Sequence, residues 1–216
     1  MKPVGLFGLL LFVVVALELA SFCHGLTEEQ RAAVLEYHNA YRRNKGVPEL
    51  TYGTSFASVA ENYAASCPNG HSSNDYGENL FWAFGDVPAD LLKMAVDSWY
   101  SEVSDYDCET NTCNGRSDAG WLNCGHYTQI MWNETTQVAC GLNTQCPDSA
   151  LVVVCNYSPS GNLYLLSGEF ARPFNVENCQ YNFEDKEESS NDGAADGDGG
   201  GGDGSAAASI SRWWLW

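Results

Sequence analysis

Two histidines and two glutamates are the side chains of this sequence with the most chemistry to offer. His71 stands in CPNGHSSNDYGENL, seven residues before Glu78, while His126 stands in GHYTQIMW and Glu102 in WYSEV. Neutral imidazoles suit a divalent cation such as zinc. Carboxylates beside it could balance its charge or act as a general base towards a metal-bound water. There is no HExxH and no CxxC, so no spacing here is a metal signature by itself. Convergence of the four must come from the fold. The other two histidines carry no assigned chemistry: His24 falls in or beside a leader, and His38 lies next to the apolar stripe of a helix.

The chain opens with one Lys and an apolar run from Gly5 to Leu17, then small and polar residues. That is the layout of a secretory signal peptide over residues 1–25, with cleavage after Cys23 or Gly25. The run is short for a span of about 20 residues, and Glu18 interrupts it. At the other end, residues 184–205 hold eight acids, seven Gly, one Lys and no large apolar side chain. This is the composition of a disordered tail, closed by the short aromatic stretch SRWWLW. Arg212 and the brevity of that stretch argue against a glycolipid-anchor signal.

One domain remains, residues 26–183, long enough for a single core. It carries 19 Asp and Glu against 7 Lys and Arg, so phosphates are repelled and nucleic acid is a poor partner. Eight cysteines behind a leader read as disulfides in an oxidising compartment, so the protein is expected to be secreted. Eight cysteines allow 105 pairings, so spacing alone leaves the connectivity open. NET at Asn133 and NYS at Asn156 are candidate glycosylation sites.

Thr27 and Gln30 stand at capping-box spacing before a helix that closes on Gly46, with Ala33, Val34, Tyr37 and Tyr41 along one stripe. Phe56, Val59, Ala60 and Tyr63 mark a second helix, and DVPADLLKMAVDSWYSEV a third, with Glu102 on or beside its buried stripe. ENLFWAF, TQVACGLN and the continuous apolar ALVVVCNY read as strands, HYTQIMW as a short helix, and LYLL as a last strand or extended piece. Helices lead and strands follow. The expected fold class is therefore α+β, an antiparallel sheet covered by helices.

GHYTQIMWNETTQVACG and LVVVCNYSPSGNLY resemble the two signatures of the CAP superfamily: cysteine-rich secretory proteins, antigen 5 and the plant pathogenesis-related class-one proteins. HSSNDYGENLFW and SWYSEVSDYDCETNTC match in the same order and spacing, so the resemblance spans about Thr27 to Leu166. It implies a three-layer α-β-α sandwich whose central cleft holds His71, Glu78, Glu102 and His126. In relatives the two imidazoles can bind zinc, with the carboxylates acting through water or behind the ligands. A two-imidazole site keeps open positions, so zinc here is expected to be weak and non-structural. The resemblance also implies Cys67–Cys146, Cys113–Cys124 and Cys140–Cys155, leaving Cys108–Cys179 by elimination. Where venom-type members carry a further bond this chain has Tyr76 and Ser158, and their Cys-rich C-terminal domain is replaced by the acidic tail. That puts ion-channel blocking in doubt.

Three functions follow as expectations. Some relatives bind sterols or fatty acids, and Phe81, Trp82, Phe84, Trp99, Trp121 and Trp132 offer apolar surface near the motifs, although Trp99 and Trp132 read better as core. The alternative is a metal-dependent hydrolase or protease using the His/Glu tetrad; the balance leans away from an enzyme. A defence or interaction protein with an extracellular partner is the third. In each case His126 is expected to face the cleft while Tyr127, Ile130, Met131 and Trp132 anchor its segment.

Overall fold

A computed structural model describes residues 25–115 and 123–179. Residues 1–24 of the expected leader, Trp121, and residues 180–216 with the whole expected tail from residue 184 lie outside the described residues. Helix α1, Glu28–Asn44, starts on the expected capping box: Gln30 N donates to Thr27 Oγ1 at 3.2 Å and Thr27 N to Gln30 Oε1 at 2.9 Å. It ends with Gly46 at φ 64°, where Val47 N donates back to Arg42 O and Gly46 N to Arg43 O. That is the left-handed stop a glycine makes without Cβ strain. Strand β1 (Thr51–Tyr52), helix α2 (Ala57–Ala65) and strand β2 (Gly77–Phe84) follow.

Helix α3 spans Leu91–Tyr100, shorter than the amphipathic stretch suggests. Asp90 caps it through Lys93 N, and beyond Tyr100 the chain tightens into a 3₁₀ turn, Ser101–Asp105, that carries Glu102. A small ladder of β3 (Tyr106–Asp107) and β4 (Thr112–Cys113) leads to helix α4 (Gly125–Ile130), then β5 (Gln137–Asn143) and β6 (Ala150–Ser158).

The main sheet has the order β1-β5-β6-β2. β5, β6 and β2 are antiparallel, as expected, but β1 joins β5 in parallel over two residues. No hairpin links β1 to β5, so nothing forces reversed direction on it. β6 is central and almost wholly buried, which is why its apolar run is continuous rather than alternating. Its side chains still sort by face. Leu151, Val153, Cys155 and Tyr157 join the core shared with α1, α3 and α4, while Val152 and Val154 pack with Ala60 and Ala64 of α2. Three layers result, α2 on one face and the other helices on the other. Gly141 of β5 allows the close approach of α2, since a Cβ there would stand 2.5 Å from the Glu61 Cα.

Disulfides join Cys67 to Cys146, Cys108 to Cys179, Cys113 to Cys124, and Cys140 to Cys155. Cys140 and Cys155 are directly opposed in the β5/β6 ladder. LYLL is not a sheet strand. Residues 163–171 fold on themselves through Leu165 N–Glu169 O, Gly168 N–Leu165 O and Ala171 N–Leu163 O, with one isolated bridge between Tyr164 and Phe170. With no layer beside it, this turn leaves Leu163, Tyr164, Leu165 and Leu166 exposed.

Candidate functional site

Glu78 sits near the start of the edge strand β2, opposite Asn156 of β6. Its carboxylate is a collecting point for donors. Nδ1 of His71 lies 2.9 Å from Oε1, Ser72 N donates to Oε1 at 2.8 Å, and Ser72 Oγ donates to Oε2 at 2.6 Å. Asn156 Nδ2 adds a longer bond to Oε2 at 3.3 Å and another to Gly77 O. Burial works to raise the Glu78 pKa, but the bonds from His71 and Ser72 outweigh it and hold the carboxyl below its ordinary value.

Glu102 makes a second centre from different parts. The 3₁₀ turn after α3 points its carboxylate at the first turn of α4. Oε2 accepts from His126 N at 2.8 Å and Tyr127 N at 3.2 Å, and Oε1 lies 2.7 Å from His126 Nδ1. The early amides of a helix have no partner within it, so Glu102 caps α4 and aims the ring with the same group. The His126 ring lies against Trp99, centroids 6.2 Å apart at 25°, and Trp99 is itself held by its indole N–H to Leu80 O.

A line of buried polar groups backs the second pair. His38 Nδ1 donates to Val34 O at 2.7 Å, which leaves Nε2 to accept from the Tyr157 hydroxyl at 2.9 Å. Tyr157 Oη in turn accepts from Asn79 Nδ2, which also donates to His126 O at 3.1 Å. Burial lowers the His38 pKa to about 4, so the ring is neutral at physiological pH, and burial pushes Tyr157 well above its ordinary value. Asn79 follows Glu78 on β2. Strand alternation therefore sends the two side chains to opposite faces of the edge strand, and Glu78–Asn79 is the link between the two His–Glu pairs.

Each imidazole thus gives its Nδ1–H to a carboxylate, the tautomer in which Nε2 carries the lone pair a metal uses. Among the described residues no group of three or more His, Cys, Asp or Glu side chains is arranged to hold a metal. Asn156 Oδ1 is buried without a hydrogen-bond partner, because the amide nitrogen is committed to Glu78 and Gly77.

That burial corrects one sequence expectation. Asn156 is fully enclosed in the central strand, so the folded chain offers no room for a glycan there. Asn133 lies partly exposed. Gln129, the other polar residue of GHYTQIMW, is not at the site: its amide accepts from Gly161 N and donates to Thr135 Oγ1. Gly77 makes room for it, since a Cβ there would fall 2.1 Å from Gln129 Oε1. Ser72, Asn79 and Trp99 hold the site and were not singled out for it in the sequence. The available signal was adjacency, since Ser72 follows His71 and Asn79 follows Glu78.

Trp99 and Trp132 are core, while Phe81 and Trp82 are half-buried and Phe84 is exposed. Two hollows of about 430 and 490 Å³ among the described residues are lined by none of His71, Glu78, Glu102 and His126. No helix of the described residues is long and apolar enough to cross a membrane.

A model of the cysteine-rich secretory protein family, CAP, matches residues 35–157. Pathogenesis-related protein 1C of Nicotiana tabacum is 37% identical over 159 residues, 72% of this chain and 86% of the tobacco protein. Pathogenesis-related protein 1 of Arabidopsis thaliana is 34% identical over 156 residues, 70% of this chain and 90% of that one. Among solved structures, NaASP2 with Zn2+ aligns at a TM-score of 0.57 and BmVAL-1 at 0.56, each 24% identical and each covering 70% of this chain and 88% of the other. At that identity the structural likeness carries the fold.

Proposed function

Because the chain belongs to the CAP family, the cysteine-rich secretory proteins, we propose that it is a secreted, defence-type binding protein that takes up a sterol or fatty-acid-type lipid and weakly holds a divalent cation. The lipid reading is carried by one observation: a hollow of about 490 Å³ between α1 and the chain leading into α3. Its lining is mixed and open to solvent: Ala33, Tyr37, Val87, Leu91, Leu92 and Leu142 form the apolar part, and Glu29, Gln30, Asp90 and Thr144 the polar part. Small hydrophobic ligands use sites of this size with a few orienting polar groups. Tyr37 also donates its hydroxyl to Asp90, tying the helix to the opposite side of the hollow.

The test is saturable binding of radiolabelled palmitate and cholesterol to the intact protein and to Ala33→Trp, which fills the hollow from a half-exposed position. Binding at least tenfold weaker in the variant, with an unchanged melting temperature, is the expected result. No binding above background in either protein overturns the reading.

The cation reading rests on the two carboxylate-backed imidazoles. The relative solved with zinc has the same fold, which supports but does not carry the assignment. His71 and His126 would hold the ion through Nε2, with Glu78 and Glu102 behind them fixing the rings and balancing charge. A bound zinc would supply Lewis acidity. Nothing favours the hydrolase alternative, in which a metal-bound water would be the nucleophile and Glu78 or Glu102 the base; a thiol nucleophile is ruled out for the eight cysteines of the domain, which are in disulfides.

A further inference from the structure

The turn at residues 163–171 carries four consecutive apolar side chains, Leu163, Tyr164, Leu165 and Leu166, all exposed and Leu166 fully so. A strand that offers one face to a partner exposes every second residue. Here sequence neighbours are all left in solvent, which makes the feature a projecting tip, and exposed apolar surface of this kind marks an interaction site. The tip is braced on both sides. At its base Thr128 Oγ1 donates to Asn162 Oδ1 at 2.7 Å, and Asn162 Nδ2 to Gly125 O at 2.8 Å. On the return, Asn111 Nδ2 donates to Phe170 O at 2.7 Å, and Arg172 donates to Cys108 O and Glu109 O. Tyr164 meets the Phe170 ring edge to face, centroids 5.6 Å apart.

We propose that this tip is a membrane-docking wedge whose partner is the surface of a neutral phospholipid bilayer. Its shape points there first. A protein groove receives one face of an element, whereas the boundary between headgroups and acyl chains receives a tip from all sides. The backbone agrees: Leu165 N donates to Glu169 O, Gly168 N to Leu165 O, and Ala171 N to Leu163 O. Bonds closed within the turn lower the cost of taking it out of water. Tyr164, amphipathic and set among leucines, is the side chain suited to headgroup level.

Charge selects the kind of bilayer. None of residues 149–168 is charged, and the Arg172 guanidinium on the return is spent on two carbonyls. With 28 Asp and Glu against 10 Lys and Arg, the whole chain is repelled by anionic lipid and by its own copies. An uncharged tip on an acidic chain therefore complements a zwitterionic surface. The inference stands apart from the hollow at α1, since no residue of the tip lines it.

Co-sedimentation of the full-length protein with phosphatidylcholine vesicles tests this. Two variants accompany it: Leu165→Ser/Leu166→Ser at the tip, and Phe84→Ser, which removes an exposed apolar side chain elsewhere. Native and Phe84→Ser proteins are expected to partition alike. The tip variant should partition about tenfold more weakly, at an unchanged melting temperature because both side chains stand in solvent. Vesicles should slow hydrogen exchange at 163–168 in the native chain, and phosphatidylserine added to them should weaken binding. No partition of the native chain overturns the proposal. So does equal partition of native and tip-variant chains, which would place the membrane contact elsewhere, and so does a loss in Phe84→Ser as large as at the tip. Binding that phosphatidylserine strengthens overturns the choice of a neutral surface. A dimer that the tip variant dissociates, with vesicles left unbound, would assign the tip to a second copy and equally overturn the docking.

Discussion

The two His–Glu pairs use the same atoms and are built in opposite ways. His71–Glu78 is local, closed over seven residues, and most donors to its carboxylate belong to one loop, His71 and Ser72. His126–Glu102 spans 24 residues and joins α3 to α4, with two of its three donors on the backbone of a helix start. Both rings have a quarter of their side-chain surface exposed, and both carboxylates are nearly enclosed. The pairs can therefore offer similar chemistry while carrying different structural duties. In the first, the carboxylate steadies a loop; in the second, it is part of the packing that defines the helical layer.

Removing each carboxylate should break that symmetry most visibly. Glu102→Ala strands two backbone N–H groups and the His126 Nδ1–H, and Tyr127 N lies in the buried core where water cannot replace the bond. A loss of about 3 kcal/mol is expected, a fall in melting temperature near 10 °C for a domain of this size. Glu78→Ala leaves donors on a loop that can turn to solvent, and Asn156 keeps its bond to Gly77 O. About 1 kcal/mol, near 3 °C, is expected there. Thermal melts of both variants check this, and equal losses would erase the distinction.

Acid should separate the pairs next. His38 backs only the second pair, through Tyr157 and Asn79 to His126 O. Its folded pKa of about 4 lies below its ordinary 6.5, because burial penalises the charged ring. Above pH 6.5 both folded and unfolded chains hold it neutral, and its full contribution is present. As the pH falls from 6.5 to 4 only the unfolded chain takes up the proton, so stability falls with it. Below about 4 the loss is complete, at roughly 3 kcal/mol. Glu78, with its lowered carboxyl pKa, adds a loss in the same direction but at lower pH. Denaturant titrations between pH 7 and 4 should therefore show a slope that His38→Gln flattens. An unchanged slope in that variant would remove His38 from the account.

Much of this architecture was legible as apolar pattern. The β6 run, the capping box and Gly46 of α1, and the inward stripe of α3 follow from residue type and spacing. The buried polar framework was not. The stripe of α1 reads as Ala33, Val34, Tyr37 and Tyr41, yet its fully buried members include His38 and Arg42. Arg42, to which the sequence pattern assigns no role, donates to Pro48 O, Ile130 O, Trp132 O and Thr135 O, partners mostly about 90 positions away. Burial lowers its pKa to about 10, still charged at physiological pH. Periodicity records where apolar side chains recur. It carries no information about a carbonyl cage assembled by a distant loop, nor about the sequon at Asn156 being spent inside a central strand. Glu102 was half legible: its place beside the buried stripe pointed inward, while its capping of α4 depended on a 3₁₀ turn that periodicity does not mark.

The smallest structural effects belong to the histidines, and they sharpen the comparison in a different way. His126→Ala keeps the Glu102 bonds to residues 126 and 127, since both are made by backbone N–H groups, and forfeits only the ring contact with Trp99 and one hydrogen bond. About 1 kcal/mol or less is expected, and His71→Ala should cost no more. If the two imidazoles share one ion, each substitution alone lowers zinc affinity at least tenfold by titration calorimetry, and the double substitution adds little beyond either. If each pair acts alone, single substitutions leave half the binding capacity at unchanged affinity. Palmitate binding should be unmoved by either, because the hollow at α1 is lined by neither histidine. Should His126→Ala instead lose as much stability as Glu102→Ala, the second ring would be a structural member of the core, and the pair's cation role would pass to His71 alone.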